Sequence, residues 1–248
     1  MIEAKNISGG YDGKEIIHGL SFEIPDGKLT AVVGPNGCGK STLLKMLCAA
    51  VPVKTGQVFI DGKEMKALGA KPLARSVSFL NQNRDTPEIS VARLVLHGRF
   101  PWIGYPRTYR QEDQDIAENA MRKAGIFEKR GFMMSRLSGG ERQKAYIAMN
   151  LAQSTGNLLL DEPTTFLDIS SQLELMNILA AIKAENKAVA AVVHDLRLAF
   201  EFADMMAVMR EGTLTFAGSP EEAAASGSLE DAFGIKIKRG EQYLFRMA

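Results

Sequence analysis

Residues 29–42 read LTAVVGPNGCGKST. The run from Leu29 to Val33 is apolar and β-branched enough to predict a buried strand. It passes directly into the spacing Gly-x-x-x-x-Gly-Lys-Ser, and Ser41 to Ala50 then carries a helical apolar pattern. A strand, a glycine-rich loop and a helix in that order make a phosphate-binding loop. Gly34, Gly37 and Gly39 let backbone N–H groups converge on phosphate oxygens, and the following helix directs its positive end at the same place. Lys40 is placed to reach β- and γ-phosphates, and Ser41 to ligate Mg²⁺. The expected nucleotide contacts are therefore Gly34, Pro35, Asn36, Gly37, Cys38, Gly39, Lys40, Ser41 and Thr42.

Outward from this loop, short β-prone segments separated by Gly or Asp-Gly turns recur at Ile16 to Ile24, Gln57 to Ile60 and Val77 to Leu80. Apolar runs at Asn157 to Leu160 and Ala188 to Val193 read as further buried strands. A helix is predicted over Gln172 to Glu185, where Leu173, Met176, Leu179 and Ile182 recur at helical spacing. The alternation implies an α/β core with a parallel sheet and a mixed β-sheet part. From about 90 to 153 the chain turns polar and helix-prone, as in QEDQDIAENAMRKAG, which predicts a helical subdomain inserted into a core of about 1–89 and 154–248. A hairpin is expected around Arg239-Gly240.

A second half of the site comes from NLLLDEP at 157–163, an apolar strand ending in two acids. Asp161 is expected to hold Mg²⁺ through its water shell and Glu162 to face an attacking water. A carboxylate beside a bound nucleotide can accept the water's proton or orient it, and positioning is most of what phosphoryl transfer asks of a protein.

LSGGERQ at 137–143 lies between these two motifs, and with it the chain resembles the ATP-binding-cassette ATPases. The resemblance covers nearly the whole chain and implies a P-loop NTPase core. It implies that Ser138, Gly139, Gly140 and Glu141 bind the ATP held by a second copy, so that two cassettes sandwich two ATP molecules. It also gives Tyr11 a stacking role on adenine, Gln82 a contact with Mg²⁺ or its water, Asp168 a role in communication across the dimer, and His194 a contact with the γ-phosphate. LVLHGRFPW, EPTTFLDISSQLELM and VVHDLRLAF are similar to the branch that powers uptake of iron–siderophore, haem or cobalamin complexes. The expected partners are two integral-membrane permease subunits and a separate substrate-binding protein, with this chain peripheral on the inner face of the cell membrane. The aromatic segment GRFPWIGYPRTY at 98–109 is expected either to dock a permease helix or to pack the helical subdomain. The alternative function is a soluble ATP-gated clamp or assembly factor, for example in iron–sulfur assembly.

Composition agrees with these expectations. Thirty basic against twenty-nine acidic residues leave a formal charge of +1, too little to draw in nucleic acid, and no apolar run is long enough to span a membrane. Only Cys38 and Cys48 are present, too few and too close for a disulfide framework. Cys38, between two glycines, beside Lys40 and at a helix start, is expected to favour the thiolate and react before Cys48; a sulfur merely turned inward is the alternative.

Overall fold

A computed structural model describes residues 1–11, 13–82, 85–239 and 243–247. In chain order the elements are β1 (Ile2–Tyr11), β2 (Lys14–Ile24), β3 (Leu29–Val33), α1 (Lys40–Leu47), β4 (Val53–Ile60), β5 (Lys63–Glu64), α2 (Ala70–Ser76) and β6 (Val77–Leu80). The helices α3 (Val91–His97), α4 (Gln111–Lys123) and α5 (Gly139–Ala152) follow, then β7 (Asn157–Leu160), α6 (Ile169–Ala184), β8 (Ala188–Val192) and α7 (Leu196–Phe202). The chain continues through β9 (Met205–Arg210), β10 (Thr213–Gly218), α8 (Pro220–Ser226), α9 (Ser228–Phe233), β11 (Ile235–Arg239) and β12 (Tyr243–Met247).

Two sheets organise the chain. The larger has the order β10-β9-β3-β8-β7-β6, with β9, β3, β8, β7 and β6 parallel and β10 antiparallel at the edge. The smaller, β2-β1-β4-β5, is antiparallel throughout. Strands β3, β7 and β8 are buried along their whole length, which explains their predominantly apolar sequences. Alternate residues face opposite cores: Leu29, Ala31, Val33, Leu158 and Leu160 pack with α3 to α6, while Val32, Leu159, Ala190 and Val192 pack with α1 and the antiparallel sheet. No helix among the described residues is long and apolar enough to cross a membrane.

Strands β1, β9 and β10 have no counterpart in the sequence reading. In β1 the pairing with β2 shifts register between Ala4 and Ile7 and twice more before Tyr11, and Asn6 has a positive φ of 49°. Such bulges break the two-residue alternation by which a strand is read. The expected hairpin is present as the antiparallel pair β11 and β12, and its turn around Gly240 lies outside the described residues.

The stretch from 90 to 153 carries α3, α4 and α5 and no strand longer than the single bridge Ser90 to Met133. It is fastened at one end by Arg99, whose Nε donates to Asp113 at 3.0 Å and whose Nη1 donates to the carbonyl of Ala152 at 2.9 Å and to Ser154 Oγ at 3.0 Å. The Arg99 guanidinium and the backbone amide of Arg110 hold the Asp113 carboxyl below its ordinary value against the opposing effect of burial.

Candidate functional site

Because β3, β8, β7 and β6 are parallel neighbours, their carboxyl ends open on one side, where ligands of α/β sheets bind. Register keeps those ends level: Val32 pairs with Val192, Leu160 with Ala191, and Leu80 with Leu160. The residues just beyond the four ends are Gly34, His194, Asp161 with Glu162, and Gln82.

The glycine loop leaves β3 at Gly34, whose φ is 152°. A Cβ there would stand 2.2 Å from the carbonyl oxygen of Met209 and 2.9 Å from Cys38 Sγ, so the turn admits only glycine. Gly39 is the N-cap of α1 at φ 104°, and a Cβ on it would meet Ile17 Cδ1 at 2.9 Å. These close approaches let the loop fold tightly over the start of α1, where Asn36, Gly37 and Gly39 border a cavity of about 680 Å³. The Lys40 ammonium curls back to donate to the carbonyls of Gly34, at 2.8 Å, and Pro35, at 2.9 Å.

Asn36, Gly37, Gly39, Lys40, Ser41, Thr42, Gln82, Glu162 and His194 all line this cavity. Ser41 Oγ donates to Asp161 Oδ1 at 2.7 Å. Burial pushes the Asp161 carboxyl above the ordinary aspartate value, although the Ser41 bond and the nearby lysines act in the other direction. A buried carboxylate next to a hydroxyl suits a hard divalent cation, which favours oxygen ligands and keeps several of its waters. Ser41, Asp161 and the Gln82 amide oxygen are the protein oxygens here that would hold Mg²⁺ alongside phosphate oxygens.

Three donors converge on Glu162. His194 Nε2 lies 2.7 Å from Oε1, Gln82 Nε2 donates to Oε2 at 2.5 Å, and Thr165 Oγ1 donates to the same Oε2 at 3.0 Å. Both carboxylate oxygens are thus oriented within the cavity by groups from three separate segments.

Other expected residues stand elsewhere. Tyr11 is exposed at the end of β1 and does not line the cavity; Ile16, on the neighbouring strand β2, does. Ser138 is the N-cap of α5 in a capping box with Glu141: Ser138 Oγ accepts from the Glu141 amide at 3.3 Å, and Glu141 Oε2 accepts from the Ser138 amide at 3.0 Å. That second bond, with Lys129, holds the Glu141 carboxyl below its ordinary value. Ser138, Gly139 and Gly140 are absent from the cavity lining. Asp168 caps α6, accepting from the Ser171 amide at 2.8 Å and its hydroxyl at 3.1 Å, bonds that lower its carboxyl. Phe166, two residues earlier, is 98% exposed at a positive φ of 63°. Ile16 and Thr165 are the cavity residues that sequence reasoning missed; Thr165 lies inside EPTTFLDISSQLELM, but nothing in that stretch marks a hydroxyl three residues after Glu162 as part of the site.

The expectation for Cys38 is corrected. Its side chain is only 4% exposed and its sulfur faces Gly34, so desolvation raises the thiol above its ordinary value and outweighs Lys40. Cys48 is also raised by burial, and it remains the more exposed of the two. Position beside a lysine and a helix start does not decide reactivity when the fold turns the sulfur inward. In the aromatic segment, Trp102 is engaged within the chain: its Nε1 donates to the carbonyl of Gln153 at 2.8 Å, and Arg75 and Arg99 lie over its ring. Phe100 and Tyr105 are exposed, the latter 99%.

A glycine loop under a parallel sheet, with a buried aspartate and an adjacent glutamate, defines a nucleoside-triphosphate-hydrolysing cassette. The profile of the family described as ABC transporter matches residues 17–165. The ferric enterobactin transport ATP-binding protein of Escherichia coli (strain K12) is 39% identical over 95% of this chain and 88% of its own length. The iron(3+)-hydroxamate import ATP-binding protein of Bacillus subtilis (strain 168) is 36% identical over 94% of this chain and 88% of its own. Among solved structures, a metal-chelate type ABC transporter in an inward-facing conformation matches with a TM-score of 0.84 at 24% identity, over 99% of this chain and 95% of that one, a likeness of fold. The chain belongs to the ABC transporter family and is an ATPase whose hydrolysis is coupled to transport.

Proposed function

We propose that this chain powers the import of a ferric chelate of the siderophore type, working as two copies beneath two membrane-embedded permease subunits that receive cargo from a separate binding protein. The observation that carries the reading is the joint presence of the assembled phosphate cavity and likeness, over nearly the full chain, to a transport and an import ATP-binding protein named for iron complexes. No nucleic acid enters this reading.

When ATP binds, Lys40 exchanges the Gly34 and Pro35 carbonyls for phosphate oxygens, and the loop amides share the charge. Magnesium would supply neutralisation of the phosphate charge, held by Ser41, Asp161 and Gln82. Glu162 receives a proton from the attacking water as oxygen bonds to the γ-phosphorus and the bridging oxygen leaves with ADP. His194 fixes Oε1 of Glu162 and stands ready for the γ-phosphate.

A second copy completes the site. The capped start of α5 offers the Ser138 hydroxyl and the amides of Gly139 and Gly140 to an anion, yet lies outside its own chain's cavity, which supports action on the partner's nucleotide. Phe166, Ile169 and Leu173 leave an exposed apolar strip along the start of α6, suited to burial between copies. Tyr11 serves adenine in this reading, beside Ile16. The division into a core of about 1–89 and 154–248 and a helical subdomain of about 90–153 lets the two parts close on ATP. Exposed Phe100 and Tyr105, and the separate groove between α3 and α4 lined by Leu96, Ala117 and Met121, support a permease helix docking on the helical subdomain.

Purification tests the assembly. Detergent extracts of native membranes are expected to yield this chain together with a polypeptide of many apolar helices. Recovery only with soluble assembly proteins, and none from membranes, would favour the assembly-factor alternative.

A further inference from the structure

We propose that Thr165 is a positioning residue for hydrolysis: its hydroxyl holds the Glu162 carboxylate in the orientation from which it receives the water's proton. The inference rests on the reading of Glu162 as that proton acceptor. Thr165 lines the cavity, and two of its atoms bond to Glu162: Oγ1 donates to Oε2 at 3.0 Å, and the amide donates to the Glu162 carbonyl at 3.4 Å. The segment 162–165 is therefore a closed turn. It needs closing, because Glu162 has a φ of 51°, in the left-handed region that a side chain with a Cβ disfavours.

The other donors to this carboxylate are poor candidates for a permanent hold. Gln82 and His194 reach it from the ends of other strands, and each is also assigned to magnesium or the γ-phosphate, so their bonds to Glu162 are open to rearrangement once nucleotide arrives. Thr165 lies three residues along the same turn, so its bond survives that rearrangement. Its oxygen also keeps lone pairs after donating, and can accept one hydrogen of the water whose other proton Glu162 takes. A hydroxyl that both aims the base and accepts from the nucleophile narrows the reacting geometry, where small misplacements are costly to rate.

The test is steady-state ATPase kinetics on the full chain carrying Thr165→Val, Thr165→Ser or Glu162→Gln, with thermal unfolding and ATP-analogue binding measured on each. Valine keeps the side chain's shape and removes the hydroxyl. It is expected to lower kcat by roughly ten- to a hundredfold, the range for losing a hydrogen bond to an ionised group, with KM for ATP and melting temperature close to wild type. Serine is expected to restore most of the rate. Wild-type turnover in Thr165→Val beside an inactive Glu162→Gln overturns the role of Thr165 and leaves Glu162 standing. An active Glu162→Gln overturns both. A fall in melting temperature and a rise in KM that serine fails to reverse would make Thr165 a packing residue and also overturn the proposal; if valine prevents folding, Thr165→Ala gives the same readout.

Discussion

Replacing Glu162 with glutamine is expected to reduce ATP turnover by roughly a hundred- to ten-thousandfold, the usual contribution of a general base, while ATP binding stays intact. The amide preserves the size of the side chain and one carbonyl acceptor, so Gln82, His194 and Thr165 still have a group to meet. What disappears is the second acceptor oxygen and the capacity to take a proton. Binding is spared because the groups that hold phosphate, Lys40 and the loop from Gly34 to Thr42, do not bond to Glu162. ATP should then persist between two copies, and size-exclusion chromatography with Mg-ATP should show a dimer that the free chain lacks. An undiminished hydrolysis rate would remove Glu162 from this role.

Lys40→Ala is expected to act on the opposite parameter. The ammonium is buried and already directed at the loop by two bonds, so it needs little reordering to meet a triphosphate. Each charge-assisted bond of this kind contributes about 1.5–3 kcal/mol, and about 1.4 kcal/mol corresponds to tenfold in affinity. Losing two should weaken ATP binding by at least about a hundredfold, measured by titration with a fluorescent ATP analogue. The fold should survive, since the bonds the ammonium makes are to its own loop. Affinity within a fewfold of wild type would show that the amides alone carry the phosphate.

The contrast between these variants reflects how the site is written in the sequence. Its phosphate-binding part is local: Gly34 to Thr42 is one loop, and Asp161 and Glu162 end one strand, so spacing alone reveals them. Strands β3, β7 and β8 are legible for a related reason, since interior parallel strands are buried on both faces and so predominantly apolar. What could not be read depends on tertiary placement. Ile16 reaches the cavity only because β2 crosses the loop close to Gly39, and Thr165 matters only because Glu162 takes a left-handed turn. Cys38 shows the reverse error. Its sequence neighbours suggest an activated thiol, but the direction of its sulfur is set by the packing of the loop against β9, which no neighbour encodes. Bulged β1 was hidden because its irregular register is imposed by pairing with β2 and β4 on either side.

Uptake of radiolabelled ferric chelates by cells lacking this chain tests the central claim most directly. Uptake of a ferric siderophore is expected to collapse while sugar and amino-acid uptake continue. The wild-type chain should restore it and the Glu162→Gln chain should not. Normal uptake of every such complex in the deletion strain, together with a defect in an unrelated pathway, would contradict the assignment of this ATPase to import.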